Sequence, residues 1–198
     1  MGAPGSGKDT QVLKLQEFLN LILISSGDIT RHLTEKNKEA ERIMDEGGLL
    51  PDKFILEAIS EKISEVSEDH GFVLDGFPRT LEQAEELERM LKEAKSNIDH
   101  VVFLDVPKEK LVIRLSKRNV CPKCDYTSMT NEEKCPTCGG TLEKREDDKP
   151  EIVKKRIEVY MENTLPVVGY YKNKGLLLSV NGDKSVDEVA EEIKQKIS

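Results

Sequence analysis

The sequence of 198 residues predicts an α/β fold in which helices flank a parallel sheet. Short apolar runs at residues 21–24, 72–75, 101–106 and 176–180 are typical of buried parallel strands. Segments with helical periodicity separate these runs, so strands and helices alternate along the chain. Residues 119–149 interrupt the alternation, because they are polar, rich in turn residues and contain all four cysteines. We therefore expect a single domain that carries one insertion.

Several predicted helices begin at residues that suit a first helical turn. Asp52 is predicted to cap one helix, and Thr80 and Gln83 have the spacing of a capping box. Pro107 and Pro150 each begin a helix, where a missing backbone N–H costs nothing. The predicted helices cover residues 10–19, 28–46, 52–66, 80–94, 107–119, a segment that begins at residue 150, and residues 186–197.

The balance of charges limits the classes of partner. Thirty Lys and Arg residues against 38 Asp and Glu residues give a formal net charge of −8. This balance argues against general binding of nucleic acid or anionic membranes, because both need a positive field. No apolar run approaches the length of a membrane-spanning helix, and residues 1–8 lack the pattern of a signal peptide. We expect a cytoplasmic protein without nucleic-acid or membrane partners.

The run Gly2-Ala-Pro-Gly-Ser-Gly-Lys8-Asp-Thr10 precedes the first predicted helix. Its glycines allow backbone N–H groups to surround phosphate oxygens, and the helix N-terminus favours an anion. Lys8 adds a mobile positive charge for the terminal phosphates. Asp9 stands where such loops have Ser or Thr. We interpret it as a solvated carboxylate at the helix start, with Mg²⁺ binding through water as the alternative.

The four cysteines form two close pairs. Cys121 and Cys124 are separated by two residues, as are Cys135 and Cys138, and ten residues lie between the pairs. A secreted disulfide scaffold would be shorter and would scatter its cysteines. Four thiolates in this pattern predict a closed, structural, tetrahedral zinc site.

A further motif, Asp75-Gly-Phe-Pro-Arg79, follows a predicted strand at the sheet edge where α/β proteins bind ligands. Together with Ser25-Ser-Gly-Asp28, Arg31, Gln83 and the glycine-rich loop, it resembles the nucleoside-monophosphate kinases. The resemblance is closest to the adenylate kinase family in its form with a long zinc-containing lid, and it extends from Gly2 to the C-terminus except within the lid.

This resemblance implies reversible transfer of the terminal phosphoryl of ATP to AMP, giving two ADP, with Mg²⁺ on the nucleotide and structural Zn²⁺. It also implies a small helical subdomain for the nucleoside monophosphate at residues 26–55 and a lid at residues 119–149. Both would close over the substrates and exclude water. Phosphoryl transfer gathers negative charge that arginine suits, which agrees with the arginines at the matching positions.

Site roles follow for each matching position. Gln83 would read the adenine edge of AMP, Asp75 would hold Mg²⁺ through its waters, and Arg145 and Arg156 would clamp the transferring phosphoryl. The implied ATP-binding residues are Gly5, Ser6, Gly7, Lys8, Asp9, Thr10, Arg118, Tyr126, Thr127, Ser128 and Lys184. The implied AMP-binding residues are Ser26, Arg31, Gly48, Leu49, Leu50, Gly76, Phe77, Pro78, Arg79, Gln83, Arg145 and Arg156. The implied catalytic residues are Lys8, Asp75, Arg79, Arg114, Arg118, Arg145 and Arg156.

Three alternatives stay open at this point. One is another nucleoside-monophosphate kinase that uses GTP or other triphosphate donors. A second is a thymidine-kinase-like enzyme, which also combines a phosphate loop with four zinc-binding cysteines; the Asp75–Arg79 run and the central insertion disfavour it. The third is a zinc-ribbon nucleic-acid-binding NTPase, which would need basic residues with exposed aromatics. Residues 121–142 have only one aromatic residue, Tyr126.

The strand that normally precedes a phosphate loop is missing from the sequence pattern, because Met1 is followed at once by Gly2. The strands at 72–75 and 101–106 would then face an unfilled gap. We expect either that residues 21–24 or their neighbours rearrange to close the sheet, or that the protein self-associates through its unpaired edges. Self-association, as a homo-oligomer, is the expectation we favour over the monomer that the resemblance implies.

Overall fold

The computed structural model describes residues 1–34, 37–67, 69–124, 126–129 and 132–197. The helices are α1 (Lys8–Leu19), α2 (Ser26–Thr34), α3 (Lys38–Asp45), α4 (Asp52–Ser64), α5 (Leu81–Glu93), α6 (Lys108–Lys117), α7 (Pro150–Val159), α8 (Leu165–Asn173) and α9 (Val186–Ile197). The strands are β1 (Ile22–Ser25), β2 (Phe72–Asp75), β3 (Val101–Asp105), β4 (Asn119–Val120), β5 (Thr127–Ser128) and β6 (Leu177–Asn181). Within these ranges, no helix is long and apolar enough to cross a membrane.

The strands form parallel pairs with helices packed against them, which confirms the predicted α/β class. β1 pairs with β2 so that Ile22 lies opposite Phe72, and β3 pairs with β6 so that Val101 lies opposite Leu177. Apolar side chains of the flanking helices, among them Ile59, Leu87 and Leu91 on one side and Val189 and Ile193 on the other, bury the two pairs. This burial on helices is the main source of stability for such short strands.

A cavity of about 360 Å³ lies between the two strand pairs, lined by residues of β2 and β3. No ladder joins β2 to β3 within the described residues. Met1 lies at the cavity wall, where its ammonium donates to the Val102 carbonyl and its own carbonyl accepts from the Leu104 N–H at 3.0 Å. Burial lowers the pKa of this ammonium to about 6. Met1 therefore pairs with β3 as one residue of a parallel strand would, and the expected gap is present.

The other expectation for this region, a rearrangement of residues 21–24 to close the sheet, is wrong. β1 pairs with the outer edge of β2 and leaves the inner edges of β2 and β3 facing each other across the cavity. The physical reason lies in the connections: α1 and α2 hold β1 on its own side of β2, with α1 packed on both strands.

Four local predictions need correction. The helix predicted over 28–46 is two helices, because the Asn37 side chain caps α3 by accepting from the N–H groups of Glu39 and Ala40. Asp52 is the first residue of α4, and Pro51 holds the cap position. Thr80 caps α5 as predicted, but the Gln83 side chain does not complete a capping box. Helix α8 was not predicted, because its apolar residues follow α7 without a turn signal.

Candidate active site

The glycine-rich loop leads directly into the N-terminus of α1. Gly5 and Gly7 have φ angles of +82° and +90°, a region in which other residues are strained. A Cβ atom on Gly5 would also lie 2.9 Å from the Leu115 side chain, so this glycine allows the loop to pack on α6. The Ser6 hydroxyl is buried and has no hydrogen-bond partner among the described residues. The loop thus combines a helix N-terminus with a polar group that a phosphate oxygen can satisfy.

Two carboxylates lie beside Lys8. The Lys8 ammonium is 3.4 Å from the Asp9 carboxylate and, as the main cause, lowers the pKa of Asp9 to about 2. Asp75 ends β2, where burial raises the pKa of its carboxyl while Lys8 opposes that rise. Oxygen ligands of this kind suit a hydrated Mg²⁺ ion next to nucleotide phosphates. Asp9 is more than half exposed, in agreement with its interpretation as a solvated residue at a helix start.

A cleft of about 150 Å³ brings together five positively charged side chains from distant parts of the chain. Lys8, Arg31, Arg79, Arg145 and Arg156 line it. The protein as a whole carries a net charge of −8, so this clustering is a local feature and not a consequence of composition. Planar guanidinium groups match the oxygens of phosphates, and several of them in one cleft suit a site that holds more than one phosphate group.

Arg79 is fixed in this cleft by its neighbours. Its Nε donates to the Gly76 carbonyl at 2.6 Å, and the same carbonyl accepts from the Ser26 hydroxyl at 2.7 Å. A Cβ atom on Gly76, which has a φ of +71°, would lie 2.5 Å from the Ser26 Oγ, so the turn after β2 requires glycine. Gly48, Leu49, Phe77 and Pro78 line the same cleft, as the resemblance implies.

Gln83 lies beside a small apolar cavity of about 20 Å³ that Leu50, Ile55 and Phe77 line. Its side chain is almost completely buried, with 3% of the residue exposed. The Oε1 atom accepts from the Arg79 backbone N–H at 2.7 Å, and the Nε2 group donates to Asp52 at 2.6 Å. Sequence reasoning assigned Asp52 only to a helix start and missed this contact, because nothing in the local pattern links residues 52 and 83.

Arg145 and Arg156 share a carboxylate at the point where the lid returns to the core. Asp147 accepts two hydrogen bonds of 2.8 Å from Arg145, and it lies 2.9 Å from Arg156. Burial favours the neutral acid, but the guanidinium groups of Arg156 and Arg145 hold the pKa of Asp147 below its usual value. Gly47, with a φ of +75°, leaves room for the Arg156 side chain, since a Cβ there would lie 2.9 Å from its Cγ.

The remaining predicted basic residues lie outside this cleft. Arg118 is buried and forms two hydrogen bonds of 2.7 Å with Asp148. Arg114 lies behind the phosphate loop, 3.4 Å from the Ser6 carbonyl, and Lys184 bonds Glu192 on the surface. Sequence reasoning did not assign a role to Asp147 or Asp148, although their position next to Arg145 was a usable signal.

The four cysteines meet in the insertion. Their Sγ atoms all lie within 4.8 Å of one another, with distances of 3.4 Å between Cys121 and Cys138 and 3.5 Å between Cys124 and Cys135. A tetrahedral zinc site requires sulfur atoms about 3.8 Å apart, given Zn–S bonds of about 2.3 Å. The donor set therefore fits a metal ion.

The lid residues predicted to contact ATP surround this cluster. Tyr126 packs against the core around Cys121, Cys135 and Leu142. Thr127 and Ser128 form β5, which pairs with β4, and the Ser128 hydroxyl donates to Glu132 at 3.1 Å. The structure does not bring these three residues into the cleft with Lys8, so their contact with ATP stays a prediction.

Comparison with known proteins identifies the family. The family model described as "Adenylate kinase" matches residues 1–176. The chain belongs to the adenylate kinase family. It is 42% identical to the adenylate kinase of Caldicellulosiruptor bescii and 41% identical to that of Archaeoglobus fulgidus, in each case over 98% of this chain and 94% of the relative. It is 43% identical to the adenylate kinase of Thermodesulfovibrio yellowstonii over 96% of this chain and 93% of that protein.

Proposed function

We propose that this protein catalyses reversible, Mg²⁺-dependent transfer of the terminal phosphoryl of ATP to AMP, giving two ADP. The observation that carries the proposal is the cleft in which Lys8 and four arginines converge. Lys8 connects this cleft to a loop suited to a triphosphate, and Arg79 connects it to Gln83, the residue proposed to read the acceptor base. Membership of the adenylate kinase family supports the reaction, and the three alternatives that the sequence left open are not favoured.

The charges of the cleft explain how the transfer is accelerated. The transition state of phosphoryl transfer is loose, and its charge spreads over the equatorial oxygens of the transferred group. Lys8 and the phosphate loop hold the donor phosphates, and Arg79 holds the acceptor phosphate. Arg145 and Arg156 exchange Asp147 for the transferring phosphoryl, because phosphate oxygens offer the same bidentate geometry as a carboxylate. No covalent enzyme intermediate is needed.

Two metal ions belong to the proposal. Mg²⁺ would supply charge neutralisation on the nucleotide phosphates, and Asp75, whose carboxyl lies within electrostatic reach of Lys8, would hold its waters. Zn²⁺ is bound by Cys121, Cys124, Cys135 and Cys138 and has a structural role, since four thiolates leave no open position for substrate. Closure of the insertion over the cleft excludes water from the reaction.

The donor side of the site is less specific than the acceptor side. Beyond the phosphate loop, the proposed donor contacts are Arg118, Lys184 and residues 126–128, and none of these lines the cleft as it stands. We therefore propose that other triphosphates, GTP among them, serve as donors.

The test is a matrix of rates for ATP, GTP, CTP and UTP as donors against AMP, GMP, CMP and UMP as acceptors. We expect variation along the donor axis to be small and AMP to be strongly preferred as acceptor; strict donor selection with a broad acceptor range would contradict this assignment of the two sides.

A cytoplasmic location and a homo-oligomeric state are also part of the proposal. The inner edges of β2 and β3 have no strand partner within the described residues, and only Met1 pairs with β3 there. Unpaired strand edges recruit strands of other chains, so contact between copies of this protein would satisfy them.

A further inference from the structure

The Gln83 side chain is held by two partners of opposite hydrogen-bonding character. The Arg79 backbone N–H donates to Oε1 at 2.7 Å, and the Nε2 group donates to the Asp52 Oδ1 at 2.6 Å. The second carboxylate oxygen of Asp52 accepts from the Thr80 hydroxyl at 2.9 Å. That hydroxyl also caps the Gln83 backbone N–H at 3.1 Å, so residues 80 and 83 are fixed to each other as well as to Asp52.

These partners permit only one orientation of the Gln83 amide. A carboxylate accepts hydrogen bonds and cannot donate them, whereas a backbone N–H donates and cannot accept. A flipped amide would place its carbonyl oxygen against the Asp52 carboxylate and its amino group against the Arg79 N–H. Because Gln83 is 3% exposed, water cannot compensate for the two lost hydrogen bonds.

The orientation determines which base edge Gln83 can read. After the two bonds above, the amide retains one free N–H and one free acceptor position on its oxygen. Adenine offers an amino donor at N6 next to an acceptor at N1, which matches an amide in this orientation. A 6-oxopurine offers an acceptor at O6 next to a donor at N1, which would require the flipped amide.

We propose that Asp52 is a specificity-determining positioning residue, which locks the Gln83 amide so that the acceptor site takes a 6-aminopurine monophosphate and rejects a 6-oxopurine one. This inference rests on the proposed function, because it assumes that Gln83 faces the acceptor base. Leu50, Ile55 and Phe77 line the small cavity beside Gln83, and these are the apolar side chains that the flat faces of that base would contact.

The hydrogen bond between Asp52 and Gln83 also connects two elements of the fold. Asp52 lies in the predicted subdomain at residues 26–55 and is the first residue of α4, whereas Gln83 lies on α5. The contact therefore joins the two elements that enclose the proposed base pocket.

The test is the ratio of kcat/KM for AMP to kcat/KM for inosine monophosphate, which differs from AMP in carrying a 6-oxo group and an N1–H. Asp52→Asn is nearly isosteric, but its amide can either donate or accept, so it removes one of the two constraints on the Gln83 orientation and leaves only the Arg79 N–H. We expect the AMP to inosine monophosphate ratio to fall at least tenfold, while KM for ATP stays unchanged. Asp52→Ser, whose hydroxyl also donates and accepts, is the second variant and should change the ratio in the same direction.

Glu57→Gln is the matched control, because it removes one negative charge from the exposed face of α4 without a contact to Gln83. Its ratio should equal that of the unmodified protein. If Asp52→Asn and Asp52→Ser slow both acceptors equally and leave the ratio unchanged, Asp52 is only structural and the proposal is overturned. If the unmodified protein produces no ADP from ATP and AMP, the proposed function itself fails, and the two failures are thereby distinguished.

Discussion

Asp148 holds Arg118 through two hydrogen bonds of 2.7 Å, and both side chains are almost completely buried, at 2% and 6% exposure. Arg118 directly follows α6, and Asp148 lies two residues before the start of α7. The two residues therefore tie together the chain segments that enter and leave the lid. The pair therefore fixes the base of the lid.

Replacing Asp148 with Ala should destabilise the protein strongly, because the Arg118 guanidinium is left buried without its partner. Loss of one member of a buried ion pair costs about 3–5 kcal/mol. Urea denaturation followed by circular dichroism measures the change in the free energy of unfolding. Asp187→Ala, which removes the partner of Lys14 in an exposed ion pair, is the control and should cost about 1 kcal/mol or less. Equal losses in the two variants would show that the buried pair does not fix the lid.

Asp147 should contribute to stability in a pH-dependent way. Burial favours its neutral form, yet Arg156 and Arg145 hold its pKa below the value in the unfolded chain. A carboxyl with a depressed pKa in the folded state adds stability above its unfolded pKa of about 3.9, and this stability is lost as the pH falls further. The free energy of unfolding should therefore decrease less between about pH 5 and pH 2 in Asp147→Asn than in the unmodified protein. The control is Asp45→Asn, at an exposed carboxylate, in which the free energy of unfolding should fall as much as in the unmodified protein. An equal fall in Asp147→Asn and the unmodified protein would contradict this account.

Removal of metal should weaken the lid. Because the ion binds the folded cysteine cluster, its loss removes binding free energy from the folded state and lowers Tm. We expect one zinc per chain by elemental measurement, and a lower Tm after treatment with a strong chelator. Cys124→Ser should behave like chelated protein, whereas Ser116→Ala, outside the cluster, should retain the metal. Zinc-free protein with unchanged melting and activity would show that the cysteines are not a metal site.

The sequence predicted those features that depend on neighbouring residues. The glycine loop, the Cys121–Cys138 spacing and the last helix follow from short-range rules on backbone conformation, metal geometry and periodicity. The α/β class was predictable because apolar runs alternate with helical segments along the chain. The structure confirms this class.

Contacts between distant segments were not predictable in this way. Asp52 reaches Gln83 across 31 positions and Asp148 reaches Arg118 across 30, and no local propensity encodes either pairing. The division of α2 from α3 was missed because a single side chain, Asn37, decides it. Arg118 lies outside the cleft because it bonds Asp148. Only the folded lid brings this carboxylate near Arg118, so the local sequence did not predict it.

The measurement that tests the account most directly is ADP formation from ATP, AMP and Mg²⁺ by the unmodified protein and by Lys8→Met. Lys8 lines the cleft and is proposed to act on phosphate charge, not on packing, so the variant should keep its fold and metal content. Lys14→Met, at an exposed lysine of α1, is the matched control and should retain full activity. We predict rapid ADP formation by the unmodified protein and by Lys14→Met, and a loss of at least a hundredfold in Lys8→Met. Retention of most activity in Lys8→Met would contradict the assignment of the phosphate loop and the cleft.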